Sequence, residues 1–316
     1  MSGDGSLGVV VLCGGESPER PVSLKSGEAV AAGLRQAGHR VDLRVLERVR
    51  DVLDMRDLKD ADVVFPALHG GAGEDGRLQS ALDLLGVTYA LSGPLAGAVA
   101  MDKALTKRLM RGAGIPTPDW LHLSGDPDAG GPADLAARVD RELGWPVVVK
   151  PNRDGSSVGV SILDGPEGLD AACDAIRARG DSVLLERFMP GRELTSTILL
   201  GRRLPLIEIV PRAGFYDFGN KYTLGACDYL CPAPLDAPLA EAVAADAQRV
   251  YDLVGCRGVA RVDFRLDGDT YGCLEINTIP GMTATSLVPK AAAAVGIGFA
   301  ELLSDLCHDA LARARA

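Results

Sequence analysis

The first ninety residues alternate short apolar runs with helical stripes. Gly8 to Cys13, GVVVLC, reads as a buried strand ended by Gly14-Gly15. Apolar positions then recur at helical spacing from Ser23 to about Ala37, with Ser23 or Ser26 placed to cap the helix. VDLRVL (41–46), DVVFPAL (62–68) and VTYA (87–90) read as further strands, and residues 76 to 85 as a second helix. Continuously apolar strands alternating with helices predict a parallel, doubly wound sheet. Ligands of such sheets sit beyond the carboxyl ends of the strands. Two stretches fall there, Gly14 to Arg20 and His69-Gly70-Gly71. Glu19 either receives a substrate ammonium or is a first-turn acid favoured by the helix dipole. His69 is either functional or simply solvated in a glycine-rich turn. GGESPER lacks the GxGxxG spacing of a dinucleotide site.

The pattern then changes. Residues 94 to 112 read as helix and contain Met101-Asp102-Lys103; Pro116 and Pro118 force IPTPDW into an extended connector. A helix from about Ala133 leads into WPVVVK (145–150), a strand ending on Lys150. PNRDGSSVGVSIL follows, either a plain hairpin or a glycine–serine loop whose N–H groups and hydroxyls approach phosphate oxygens. It is not a P-loop, which opens a helix with GxxxxGK[ST]. Residues 166 to 179 predict an amphipathic helix, and 182–188, 193–200 and 204–210 predict strands. Glu186 and Glu193 flank Phe188-Met189-Pro190, apolar and acidic groups of the kind that line nucleotide pockets. Residues 211 to 234 read as one long loop, a lid by its length, with Lys221-Tyr222 near its middle.

Arg261 to Gly281, RVDFRLDGDTYGCLEINTIPG, carries the densest chemistry. Arg261, Asp263 and Arg265 alternate with Val262, Phe264 and Leu266; Tyr271, Cys273, Glu275 and Asn277 alternate with Gly272, Leu274 and Ile276. Asp267-Gly268-Asp269 supplies the turn of a hairpin. Its polar face offers oxygen ligands that suit Mg²⁺ under a nucleotide, Asp263, Glu275 and Asn277, with Arg261 beside the reacting phosphate. The alternative is an amphipathic edge hairpin. Asp263 and Glu275 share a face only if the hairpin loop is odd or a β-bulge intervenes.

Composition narrows the function classes. The chain has 316 residues, enough for two or three domains, with a net charge of −10 and 4% aromatics. That charge and that scarcity of stacking surfaces exclude a nucleic-acid partner. No apolar run reaches the length of a membrane span, and the N-terminus has no basic n-region of a signal peptide. The seven cysteines include one CxxxC, Cys227 and Cys231, without a matching pair, so free thiols are expected rather than zinc.

Taken together and in order, CGGESPERPVSLKSG, ALHGGAGEDGRLQ, AVAMDKALTK, VVVKPNRDGSSVGV, LLERFMPGRELT, FYDFGNKY, ARVDFRL and LEINTIPGMTATSLVP resemble the D-alanine–D-alanine ligase family of the ATP-grasp superfamily. The resemblance spans nearly the whole chain. It implies an α/β fold of three domains: an N-terminal doubly wound domain over 1–92, a central ATP-grasp domain over 93–185, and a C-terminal one over 186–316 with the lid at 211–234. ATP would lie between two antiparallel sheets.

The resemblance also implies roles. Glu19 binds the first D-alanine's ammonium, with His69 near its reacting end. Lys103, Lys150 and, from the lid, Lys221 contact phosphates. Glu186, Phe188, Met189 and Glu193 line the adenosine pocket. Asp263, Glu275 and Asn277 hold two Mg²⁺ or Mn²⁺ ions. Arg261 and the Gly281 N–H stabilise a tetrahedral oxyanion, and Ser286 and Leu287 receive the second substrate's carboxylate. Ser156, Tyr222 and Glu19 link to shut the site. The family implies a cytoplasmic homodimer acting in peptidoglycan synthesis on small substrates. Depsipeptide-forming relatives generally lack the lid tyrosine, and Tyr222 is present. Ligases making D-alanyl–D-lactate, D-alanyl–D-serine or another amino-acid amide are the alternative. Pro21 and the lid cysteines depart from the pattern.

Overall fold

A computed structural model describes residues 5–124, 132–155, 159–212, 226–283 and 285–315. Three sheets organise them. In the first, β1 (Gly8–Gly14) lies between β2 (Arg40–Leu46) and β3 (Val63–Pro66), all parallel. The expected strand at 87–90 reduces to one parallel bridge, Val64 to Tyr89, because Leu91 turns left-handed at φ 72° and Pro94 starts a helix. α1 (Arg20–Gln36) begins earlier than the periodicity suggests, at Glu19 with Pro21 in its first turn. Ser23 and Ser26 are therefore not caps. The Ser23 hydroxyl accepts from Gly14 N (2.8 Å) and donates to Ala67 O (2.7 Å), tying the helix to two strand ends. α2 (Arg77–Leu84) completes this region.

The helical stretch 94–112 is two helices, α3 (Pro94–Met101) and α4 (Lys103–Gly112). Asp102 leaves helical geometry at ψ 94°, and its side chain caps α4 by accepting from Leu105 N at 3.0 Å. The second sheet is antiparallel, in the order β4 (Trp120–Leu123), β7 (Val183–Arg187), β5 (Val147–Pro151), β6 (Ser161–Leu163). α5 (Pro132–Glu142) and α6 (Leu169–Arg177) cover one face through Val139, Leu143, Cys173 and Ile176. Lys150 and Glu186 lie on the other face, since strand side chains alternate.

The third sheet is also antiparallel. β8 (Arg192–Leu199) lies between β10 (Ile207–Pro211) and β12 (Val259–Asp267), and also pairs with β9 (Arg202–Arg203). β11 (Cys227–Leu230) and β13 (Thr270–Asn277) are the edges. The expected loop 211–234 thus contains a strand: Cys227 and Tyr229 turn inward, Asp228 and Leu230 outward, and all four pair with β10. α3, α4 and α7 (Ala237–Val254) share one core with β8, β12 and β13. A second core joins β1, β3 and α1 to β10 and the closing helices α8 (Leu287–Ala293) and α9 (Phe299–Arg315). The parallel sheet and the third sheet are therefore packed through continuous apolar contact. All seven cysteines are free thiols, and among the described residues no helix is long and apolar enough to cross a membrane.

α3 reaches the 74–76 turn only because residue 97 has no side chain. A Cβ there would lie 2.6 Å from Glu74 O and 3.0 Å from Gly76 N, both backbone atoms. Gly97→Ala gains about 1 kcal/mol of helix propensity but overpacks a contact that cannot yield, costing about 1–3 kcal/mol. Chemical denaturation should show net destabilisation; a stabilised variant would show that the α3 contact is soft.

Candidate active site

The hairpin meets the condition set by its sequence, and by the second of the two routes. Asp267 pairs with Thr270, so the loop has an even length, and the register shifts once between Asp263 and Phe264. Asp263 faces Glu275, Phe264 faces Cys273, and Leu274 between them is the bulge. Arg261 opposite Asn277 and Asp263 opposite Glu275 share one face. The bulge also corrects the faces read from strict alternation. Tyr271 and Cys273 join the apolar side with Phe264 and Leu266, while Gly272 comes opposite Arg265 on the polar side.

Each polar group is oriented by a neighbour. Arg261 donates from Nε and Nη2 to the two oxygens of Asp263, at 2.9 and 2.8 Å. Thr195 on β8 donates to the same carboxylate at 2.6 Å. Lys103, in the first turn of α4, donates to the Asp154 carbonyl at 2.7 Å and lies 3.3 Å from Glu275. Asn277 Oδ1 accepts from Ile279 N at 3.2 Å.

The other walls come from the parallel sheet and the closing segment. Glu19 is buried at the start of α1, so close to Gly155 that a Cβ there would lie 2.7 Å from its carboxylate. His69 is buried, not solvated, 3.0 Å from Ser26 Oγ and 3.7 Å from Glu74. Ser286 holds the 281–286 turn through Thr283 N (3.1 Å) and Thr283 Oγ1 (2.8 Å).

A cavity of about 850 Å³ opens among these groups. Glu19, His69, Lys103, Arg261, Glu275, Asn277, Gly281, Ser286 and Leu287 all line it. Asp263 lies just beneath, buried. Lys150, Glu186, Phe188, Met189 and Glu193 do not line it. Glu193 and Met189 sit further along the polar face of the third sheet, where Arg265 reaches the Met189 carbonyl (3.1 Å) and Glu193 (3.5 Å). Ser156, Lys221 and Tyr222 fall outside the described residues.

Two groups beside the site escaped sequence reasoning. Lys107 is fully buried, 2.5 Å from one Glu186 oxygen, while Lys150 lies 2.8 Å from the other. Lys107 also donates to Thr117 Oγ1 (2.7 Å), which donates to Cys273 O (2.8 Å). Burial lowers the Lys107 pKa more than Glu186 raises it. Burial would raise the Glu186 pKa, but Lys107 and Lys150 outweigh it and hold the carboxyl below its ordinary value of 4.5. The other is Asp102, whose carboxylate binds Asn152 (2.9 Å) and Arg153 (2.9 Å). The Lys103–Lys107 spacing of four, one helix face, was the available signal for Lys107.

Among the described residues no three His, Cys, Asp or Glu side chains converge on a ready cation cage. The set Asp263, Glu275 and Asn277 is all oxygen, and Glu275 and Asn277 open on the cavity. That suits a hard cation completed by phosphate oxygens.

Two antiparallel sheets meeting at a lysine- and carboxylate-lined cleft, beside a parallel sheet, form the ATP-grasp architecture. Comparison with known proteins agrees. Residues 109–308 match the family model of the D-ala D-ala ligase C-terminus, and 44–92 that of the N-terminus. The chain is 44% identical to the D-alanine--D-alanine ligase of a Synechococcus strain, covering 98% of this chain and 94% of that one. It is 45% identical to the ligase of Desulforudis audaxviator, covering 94% and 96%. The crystal structure of D-alanine--D-alanine ligase from Bacillus anthracis complexed with ATP is similar at a TM-score of 0.86 and 32% identity, covering 98% and 99%. The chain belongs to the D-alanine–D-alanine ligase family.

The Glu186 cluster generates a stability test. Glu186→Gln leaves two ammonium groups facing each other in the interior and should cost about 3–5 kcal/mol. Lys107→Met leaves the Lys150–Glu186 pair intact and should cost clearly less. Because the folded Glu186 pKa is depressed, its contribution is fully present above pH 4.5 and is lost as pH falls through the folded value. Urea melts from pH 7 down to 3 should show that acid-limb loss shrinking in Glu186→Gln. Equal costs for the two variants would mean the cluster is hydrated.

Proposed function

We propose that the protein is an ATP-dependent D-alanine–D-alanine ligase, forming D-alanyl-D-alanine for peptidoglycan precursors. The observation that carries this reading is the meeting of Glu19, Lys103, Arg261, Glu275, Asn277 and Ser286, from separate elements, around one cavity. Family membership supports the substrate, and the relative solved with ATP supports the phosphoryl donor.

In this reading the ammonium of the first D-alanine pairs with Glu19, with His69 beside its reacting end. Its carboxylate oxygen attacks the γ-phosphorus, the bond to the β–γ bridging oxygen breaks, and ADP leaves. The amine of a second D-alanine attacks the acylphosphate carbon. The resulting oxyanion faces Arg261 and the Gly281 N–H. The bond to phosphate then breaks, phosphate leaves, and the amine loses a proton. Ser286 and Leu287 hold the second carboxylate. Lys103 and Lys150 neutralise phosphate charge; Glu186, Phe188 and Met189 border adenine, and Glu193 the ribose. Phosphoryl transfer rests on such neutralisation and alignment more than on covalent help. Asp263 fixes the plane of the Arg261 guanidinium before substrate arrives, which spares reorganisation during the reaction.

Asp263, Glu275 and Asn277 would hold two Mg²⁺ or Mn²⁺ ions. When bound, these supply further neutralisation of the phosphate oxygens. Lys221, Ser156 and Tyr222 complete the phosphate contacts and the closure that keeps water from the acylphosphate. We place the reaction in the cytoplasm, where ATP is available, and assign it to a homodimer.

Mass spectrometry of protein with ATP, Mg²⁺ and D-alanine should show D-alanyl-D-alanine and ADP in equal amounts, and none with L-alanine. A preference for D-lactate or D-serine as acceptor would move the assignment to the variant ligases. Arg261→Ala should lose about 10²–10³ in turnover, as removal of one oxyanion donor does elsewhere. Near-normal turnover would reject its role.

A further inference from the structure

Arg179 lies outside the cavity, two residues beyond the end of helix α6. Its guanidinium forms an ion pair with the side chain of Asp154. Asp154 is the start of the glycine–serine stretch, and that one residue is fixed on three sides. Its carbonyl accepts from Lys103 Nζ at 2.7 Å inside the cavity, and its Oδ1 accepts from Gly155 N at 3.0 Å. Its other carboxylate oxygen faces Arg179. Asp154 thus belongs to two walls at once. It lines the active cavity, and it lines a second, polar cleft of about 550 Å³ that also contains Arg153, Arg179 and Ser182.

Arg179 also lies close to Gly159. Gly159 sits at φ +74°, and a Cβ on it would lie 2.9 Å from Arg179 Nη1. One guanidinium therefore pairs with Asp154 and lies beside Gly159. Nearby groups anchor the first of these further: Asn152 accepts from Ala104 N at 2.8 Å, and Arg153 N donates to Asp181 at 2.9 Å.

We propose that Arg179 is a positioning residue for nucleotide binding. It acts through Asp154, whose carbonyl holds Lys103 Nζ in the cavity. This rests on the reading that Lys103 contacts ATP phosphates. Arg179 is one-third exposed, and an ion pair of that kind adds little to global stability. A purely structural role would therefore show nothing, or would damage every parameter together. A positioning role shows selectively in ATP.

The test is made on the full chain with Arg179→Ala, Arg179→Lys, Asp154→Asn and the double variant Asp154→Asn/Arg179→Ala. Arg179→Ala should raise KM for ATP about 3- to 30-fold, the range by which residues coupled through contacts shift a distant site. kcat, KM for D-alanine and Tm should change much less. Arg179→Lys, which keeps the charge and length, should recover part of the loss. The double variant should be no worse than the worse single one, since both break the same contact. Direct titration of ATP by calorimetry on wild type and Arg179→Ala needs no turnover. If wild type binds ATP without ligating D-alanine, the proposed function fails while this comparison still decides the role of Arg179. Unchanged ATP affinity in Arg179→Ala, or parallel loss in all parameters with a lowered Tm, would overturn the proposal. Wild type that binds no ATP would overturn both.

Discussion

A strand keeps its polar side chains on one face only while its register holds, and a slip of one residue sends all of them to the other. β13 slips once, at Leu274. Without that bulge the two-residue turn at Gly268-Asp269 would leave Glu275 among the core residues, under α3 and α7. With it, Glu275 stands opposite Asp263, Asn277 opposite Arg261, and Ile276 takes the core position against Val262. The bulge thus serves both sides of the sheet. It delivers two oxygen ligands to the cavity and keeps the apolar layer unbroken beneath them.

The charges gathered on that face are held by one another. Asp263 is oriented by Arg261 and Thr195, Glu275 by Lys103, and Glu186 by two lysines in a fully buried cluster. Pairs this deep offset a large desolvation cost and are weak arguments for stability. What they supply is orientation. Lys150 is fixed by Glu186, Glu186 by Lys107, and Lys107 by Thr117 on the connector that docks against β13 through Cys273. The second and third sheets are linked by this chain of contacts, so the lysines of one and the carboxylates of the other keep a defined separation.

Much of this was legible in the residues, and the gaps have physical reasons. The parallel sheet announced itself because strands buried on both faces are apolar throughout. The hairpin did so because its alternation is regular and its turn residues are distinctive. The bulge could be stated as one of two conditions but not located, since the skipped residue depends on what packs beneath each strand. Lys107 looked like any exposed helical lysine; only the tertiary placement of Glu186 makes its burial tolerable. The helix break at Asp102 is hidden in the sequence because periodicity persists across a one-residue break, while capping is a local choice of backbone angle. β11 looks like loop in the sequence because a four-residue strand with Cys227 and Tyr229 inward carries little apolar signal. Its pairing with β10 supplies the stability that its own sequence does not.

The place of the cavity is likewise set by packing. Glu19, at the start of α1, and His69, after β3, stand beside the parallel sheet, while Arg261, Glu275 and Asn277 belong to the third sheet, and among the described residues no hydrogen-bond ladder joins the two sheets. The join is apolar. β1, β3 and α1 on one side, and β10 on the other, bury residues against α8 and α9 in one continuous cluster. Such a contact is non-directional, so it cannot by itself set the distance between two polar groups. It does so here because the closely packed interior resists volume change. α8 begins directly after Ser286, so the turn that carries Gly281 and Ser286 to the cavity is anchored in that same cluster. A residue such as Leu303, far from any chemistry, therefore bears on the geometry of Glu19 relative to Arg261 more directly than any surface ion pair does.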